Sequence, residues 1–215
     1  MLWGGVATGG GLELRRENDG GVRLRGRFPY NSPAVLSDGG RSGRPRKELF
    51  EPGAFAYSVN DAQAEINLLV GHSFDKPLAS KLGGSLVLND TDEALTFTAR
   101  ISAAIAETTH GRDALAMIGA GLAVGISPGF RIPPERAVPR DQAEVVEQEP
   151  DDGRPSPLDG QPQRGAIIRR VRQAILRELS IVTAPAYPDA QIEARSWTPE
   201  TSPRSDNHPL RRWRL

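Results

Sequence analysis

Apolar and polar residues alternate along much of this chain. Val22-Arg23-Leu24-Arg25-Gly26 reads as a strand, as do Gly84 to Leu88 and Ala94 to Ile101, where Leu95, Phe97, Ala99 and Ile101 share a face. The polar run Asn89 to Glu93 predicts the turn between the last two. Glu65 to His72 also alternates, with Ile66, Leu68, Val70 and His72 on one side and Glu65, Asn67, Leu69 and Gly71 on the other. This strand is expected to end in its histidine, with the ring partly desolvated at the inner rim of a sheet. Leu122 to Ile126, Ala166 to Val171 and Ala174 to Thr183 complete the strand signals.

Helical spacing is rarer. Ala114, Leu115, Met117 and Ile118 form a stripe over Gly111 to Gly119, with Thr108 or Thr109 as the cap and Gly119 and Gly121 as the stop. Glu51-Pro52-Gly53-Ala54-Phe55 reads as the start of a short helix with Pro52 in its first turn, where a missing N–H is harmless. About six to eight short strands against one good helix predict a mainly β (α+β) fold with peripheral helices, a sandwich or a closed or partly closed β-barrel.

Between these elements the pattern lapses. Residues 1–21 are glycine-rich and read as a flexible lead-in with a frayed strand at Leu12 to Arg15, and Asn31 to Arg46 as a long exposed loop. Pro133 to Gln163 holds seven prolines, and Asp141 to Asp159 holds seven acidic residues against the single Arg154. Such a segment has too little apolar surface to order itself and is expected to be a mobile insertion. Residues 22–194 then form one domain, and 195–215 a disordered tail.

Composition narrows the function classes. At 215 residues the chain suits one domain with appendages. Its 27 basic and 27 acidic residues cancel, so no global field attracts nucleic acid or anionic lipid. All basic residues but Lys47, Lys76 and Lys81 are arginine, scattered rather than clustered, which carries no functional weight. The absence of cysteine excludes disulfides, thiolate catalysis and Cys-ligated zinc. No signal peptide is evident, and the most apolar run, Met117 to Ile126, is ten residues, half a membrane span. A soluble protein made inside the cell is expected.

Three segments carry a reactive side chain where the pattern prefers an apolar one. His72 is the candidate base by elimination, because His110 precedes a helix whose positive end disfavours imidazolium and His208 lies in the tail. Ser127, in Gly125-Ile126-Ser127-Pro128-Gly129, matches the G-x-S-x-G pattern, yet the following Pro-Gly-Phe-Arg-Ile-Pro-Pro cannot begin the helix a nucleophile elbow requires. Glu178 lies in Leu176-Arg177-Glu178-Leu179-Ser180-Ile181-Val182, where alternation would put Leu176, Glu178, Ser180 and Val182 on one face. Hydrogen-bonded to an imidazole, a carboxylate there would fix the tautomer and stabilise the imidazolium. Taken singly, each residue also fits a structural role: a core histidine, a turn serine, an edge or cation-paired glutamate.

Taken together, the segments Leu68 to His72, Val124 to Phe130 and Leu176 to Ala186 resemble the His, Ser and Glu blocks of the caudovirus (HK97-type) prohead serine protease family. Glu51 to Phe55 is similar to that family's early E-x-PGAF signature, and Gly26 to Ser32 to the strand and loop before it. The resemblance spans about Val22 to Ala194, in the right order and spacing. It implies an assemblin-like barrel ringed by helices, since the family is distantly similar to herpesvirus assemblins. It also implies a serine endopeptidase acting inside the assembling procapsid in the bacterial host cytoplasm, on the major capsid protein and its scaffolding segment, with self-cleavage and a homodimer. By position, Ser127 would be nucleophile, His72 general base and Glu178 the third member. No metal, cofactor, nucleic acid or membrane is called for.

Pro128 departs from the family, which more often has an apolar residue with an N–H there. The donor directly after the nucleophile is therefore missing, and the turn Ala184 to Tyr187, Pro185 excluded, is the expected alternative. Two other readings stay open: a catalytically impaired capsid-assembly factor, and an α/β-hydrolase esterase.

Overall fold

A computed structural model describes residues 13–40, 43–123, 125–153 and 164–184, with the Glu13 side chain excepted. In chain order the elements are β1 (Glu13–Arg16), β2 (Val22–Pro29), β3 (Ala34–Ser37), β4 (Arg46–Phe50), α1 (Ala56–Asn60), β5 (Asn67–Val70), β6 (Ser73–Ser80), β7 (Leu86–Asp90) and β8 (Ala94–Ile101). There follow α2 (Ala103–Ala106), α3 (Thr109–Gly119), β9 (Gly125–Arg131), α4 (Arg140–Ala143), β10 (Glu144–Gln148), β11 (Ile167–Val171) and β12 (Ile175–Val182).

The strands form three four-stranded sheets, ordered β1-β2-β8-β7, β10-β11-β4-β3 and β6-β5-β12-β9. The mainly β class is as expected. The barrel is not: none of the three ladders closes on itself among the described residues, and twelve strands replace the expected six to eight. The first sheet is antiparallel throughout, whereas β11 with β4 and β12 with β5 run parallel.

One aromatic hub knits the three sheets together. Phe28 from β2 and Phe50 from β4 meet edge to face at 5.5 Å, and Phe130 from β9 meets Phe50 at 4.8 Å. Phe55, fully buried just before α1, lies 4.8 Å from Phe50 and 6.4 Å from Phe130. Offset and edge-on pairs of this kind are each worth about 0.5–1.5 kcal/mol beyond their burial. The conspicuous Phe28 and Phe55 motifs are thus packing motifs that fix β9 against the rest.

Several elements differ from the sequence expectation for identifiable reasons. Glu51 to Phe55 is a turn, and the helix begins only at Ala56, because Gly53 sits at φ +77°. The supposed loop 31–46 contains β3 and the first residue of β4. Residues 140–148, inside the expected unstructured insertion, form α4 and β10. The acidic side chains there find arginines on the neighbouring strand: Glu147 pairs with Arg170, and Glu144 with Arg169. Thr108 does cap α3, its hydroxyl accepting from the Gly111 N–H. No helix among the described residues is long and apolar enough to cross a membrane.

Candidate active site

The site is built on the sheet β6-β5-β12-β9, and its geometry begins with a bulge. Across the β12–β9 ladder, Leu176 faces Phe130 and Glu178 faces Gly129, with Arg177 as the extra residue. Phe130 and Gly129 are consecutive, so they point to opposite sides, and so must Leu176 and Glu178. The alternation expected from sequence, with Leu176 and Glu178 on one face, is therefore broken. Leu176 goes to the apolar core and Glu178 to the other side with Ser180. The N–H of Leu176 donates to the hydroxyl of buried Ser58 in α1 at 3.0 Å, which secures the bulge.

The opposite face of the sheet collects the chemistry. In register, Ser127 lies directly opposite Ser180 on β9, while Asn67 and Leu69 of β5 neighbour Glu178 and Ser180 on the other side. Directly opposed antiparallel residues have Cβ atoms about 4.5–5.5 Å apart and share a face. Ser127 is thus a mid-strand residue of an edge strand, not the turn residue that followed the expected strand Leu122 to Ile126. This placement also removes the esterase reading, which needs its serine on a strand-to-helix turn.

His72 is likewise displaced from expectation. β5 ends at Val70, which pairs with Ser73, and Gly71-His72 is a two-residue hairpin turn with φ +60° at both positions. Such turns match the right-handed twist of the flanking strands but demand left-handed backbone at both central residues. For a non-glycine residue that costs about 1 kcal/mol. The ring is half exposed, with side-chain accessibility 48%, instead of lying on the inner face with Leu68 and Val70.

Even so, the turn aims the imidazole at the carboxylate. His72 Nδ1 lies 2.7 Å from Glu178 Oε1, and Glu178 is only 3% exposed. The second oxygen, Oε2, accepts from the Ser180 hydroxyl at 2.6 Å. Ser180 Oγ in turn accepts the His72 backbone N–H at 2.9 Å. Among the described residues, both carboxylate oxygens are satisfied without a lysine or arginine. With Nδ1 donating to Glu178, Nε2 is the lone-pair nitrogen, the tautomer a general base needs.

Gly129 is indispensable to this arrangement. A Cβ at position 129 would come within 1.9 Å of Glu178 Oε1, so the carboxylate lies across the space a side chain would occupy. At Gly129 it is the glutamate that makes the close approach. Ser180 and Ser58 were also missed as site residues, although a serine two positions after a glutamate on an apolar strand was a visible signal.

The structure thus joins His72 to Glu178 and brings Ser127 onto the same face. Among the described residues, Ser127 makes no hydrogen bond to His72, a looseness common before substrate binds. His110 lies in the first turn of α3, its Nε2 3.1 Å from the Pro77 carbonyl, and makes no hydrogen bond to His72, Ser127 or Glu178 among the described residues. His208 and residues 185–187 of the expected oxyanion turn lie outside the described residues. No group of three or more His, Cys, Asp or Glu among the described residues is arranged to hold a metal ion.

The family model for caudovirus prohead serine protease matches residues 34–203, a span containing all three candidate residues. No curated protein and no solved structure matches the chain.

Proposed function

Because the chain belongs to the caudovirus prohead serine protease family, we propose that it is a maturation endopeptidase using Ser127, His72 and Glu178 in acyl transfer. The observation that carries this reading is the His72–Glu178 hydrogen bond of 2.7 Å, formed on the sheet face that also bears Ser127. Ser127 Oγ attacks the peptide carbonyl while His72 Nε2 takes its proton and passes it to the leaving amine. Water then releases the acyl-enzyme by the same route. Buried Glu178 holds Nδ1–H and stabilises the imidazolium formed in each step. The substrate is the capsid protein with its scaffolding segment, met inside the procapsid, and the enzyme works as a homodimer that also cleaves itself.

Pro128 sets the condition on this mechanism. It is buried on β9 and has no N–H to offer an oxyanion, so donors come from elsewhere, the backbone of Ala184, Ala186 and Tyr187 being the expected source. The same residue favours the second reading, an assembly factor that has lost its chemistry. Co-expression with the neighbouring capsid protein separates the two. Wild type shortens the capsid protein, Ser127→Ala leaves it full length, and His72→Ala slows processing about 10²–10⁴-fold. Full-length capsid protein with the wild-type chain selects the assembly factor. Processing by Ser127→Ala at the wild-type rate removes the serine from the mechanism.

A further inference from the structure

We propose that Ser180 is a positioning residue of the site, one hydroxyl that holds both the base and its carboxylate partner; this rests on the protease reading above. The hydroxyl has one proton and two lone pairs. The proton goes to Glu178 Oε2 at 2.6 Å, and a lone pair receives the His72 N–H at 2.9 Å. Ser180 is fully buried and stands directly opposite Ser127 across the β12–β9 ladder. It therefore touches the strand of the acid, the turn of the base and the strand of the nucleophile.

Each contact answers a specific weakness. His72 sits on a half-exposed hairpin tip in a left-handed conformation, and its ring alone cannot stop the tip from tilting. The N–H bond to Ser180 fixes the backbone from which the ring projects. Among the described residues no lysine or arginine pairs with Glu178, so a free Oε2 would let the carboxylate rotate about its last torsion, which is broad in carboxylates. The Ser180 O–H removes that freedom and leaves Oε1 aimed at Nδ1. Removal of Ser180 takes the partner from buried Glu178 Oε2 and from the part-exposed His72 N–H, which loosens both ends of the His72–Glu178 bond at once.

Four chains test this: wild type, Ser180→Ala, Ser180→Thr, which can make both bonds, and Ser127→Ala as the inactive reference. Histidine ¹⁵N NMR reads the His72 tautomer, and capsid-protein processing over a range of concentrations reads kcat and KM. In Ser180→Ala the Nδ1–H tautomer gives way to a mixture and kcat falls about 10–100-fold with KM within about twofold, as expected for loss of hydrogen bonds to a charged group. Ser180→Thr keeps the wild-type tautomer and most of kcat. A wild-type tautomer and kcat in Ser180→Ala overturns the proposal. So does an equal loss in both Ser180 variants, or an alanine variant that no longer folds, which makes the residue purely structural. If Ser127→Ala still processes substrate, the protease reading itself fails, while the tautomer measurement continues to report on Ser180.

Discussion

Two buried carboxylate sites flank β9, and they are held in opposite ways. In the sheet β10-β11-β4-β3, Glu48 and Glu144 are 5% and 7% exposed and share one guanidinium. Arg169 donates to Glu48 Oε2 at 2.7 Å and to Glu144 Oε2 at 2.6 Å, and its guanidinium lies 6.0 Å from the Phe130 ring. Arg140 adds a second cation to Glu144. In the sheet β6-β5-β12-β9, Glu178 is as deeply buried but leans on an imidazole and a hydroxyl. Arginine does not release its proton in proteins, so the first cluster can only hold structure. A neutral imidazole has one nitrogen that donates and one that accepts, so the second cluster has the parts that the proposed proton transfer needs. Consecutive residues of β9, Gly129 and Phe130, meet the two sites on opposite faces.

The sharpest way to break this contrast is to neutralise each site in turn. Glu178→Gln keeps the shape of the pair but favours the wrong imidazole tautomer, and capsid-protein processing should fall about 10⁴-fold with little change in thermal stability. Arg169→Ala should do the reverse. Two buried carboxylates lose the guanidinium they share, with Glu144 keeping Arg140, and about 3 kcal/mol in urea unfolding is expected, the low end of the range because Arg169 is itself one-third exposed. Processing per folded molecule should stay within about threefold, since the His72–Glu178 bond is untouched. Equal effects of both variants on stability and rate would dissolve the distinction.

Gly129→Ala probes the boundary between the sites. The added Cβ displaces the Glu178 carboxylate, so processing should fall by about 10²-fold, measured as kcat, while the Arg169 cluster on the other face keeps the fold in place. Loss of stability as large as that of Arg169→Ala would show that the glycine serves packing instead.

The smallest expected effect comes from a third carboxylate, held among the described residues by a hydroxyl alone. Asp90 accepts from the Tyr30 hydroxyl at 2.5 Å through Oδ1, while its buried Oδ2 has no partner among the described residues. Burial holds its carboxyl above the ordinary 3.8, so the folded state retains the proton longer than the unfolded one. Its contribution to stability is then full below pH 3.8 and declines as pH rises through the raised value. Relative to Asp90→Asn, wild type should lose a degree or so of Tm between pH 4 and 7. A difference that is flat in pH, or opposite in sign, contradicts this assignment.

The legible part of the fold was where alternation is strict: β8 falls on the very residues whose pattern announced it, and β2 begins where expected. β6 escaped notice because Pro77 and a polar stretch interrupt it, features an edge strand tolerates. The Arg177 bulge could not be seen, since one extra residue is defined only by the register of a partner strand. The residue types of the site were readable in His72, Ser127 and Glu178, and their convergence was the open question. Gly129 was not readable as a site residue, because its part depends on a cross-strand contact with Glu178; for Ser180 only the nearness to Glu178 was legible, and its bond to the distant His72 N–H was not. The hairpin position of His72 was hidden because Gly-His is not a strong turn signal and alternation seemed to continue through it.

The most direct test of the central claim is to treat the purified chain with a fluorophosphonate and map the adduct by mass spectrometry. The account predicts one phosphonylated serine, Ser127, with labelling strongly slowed in His72→Ala and in Glu178→Gln. Labelling of a different serine, or none at Ser127 under conditions where the chain processes capsid protein, would contradict it.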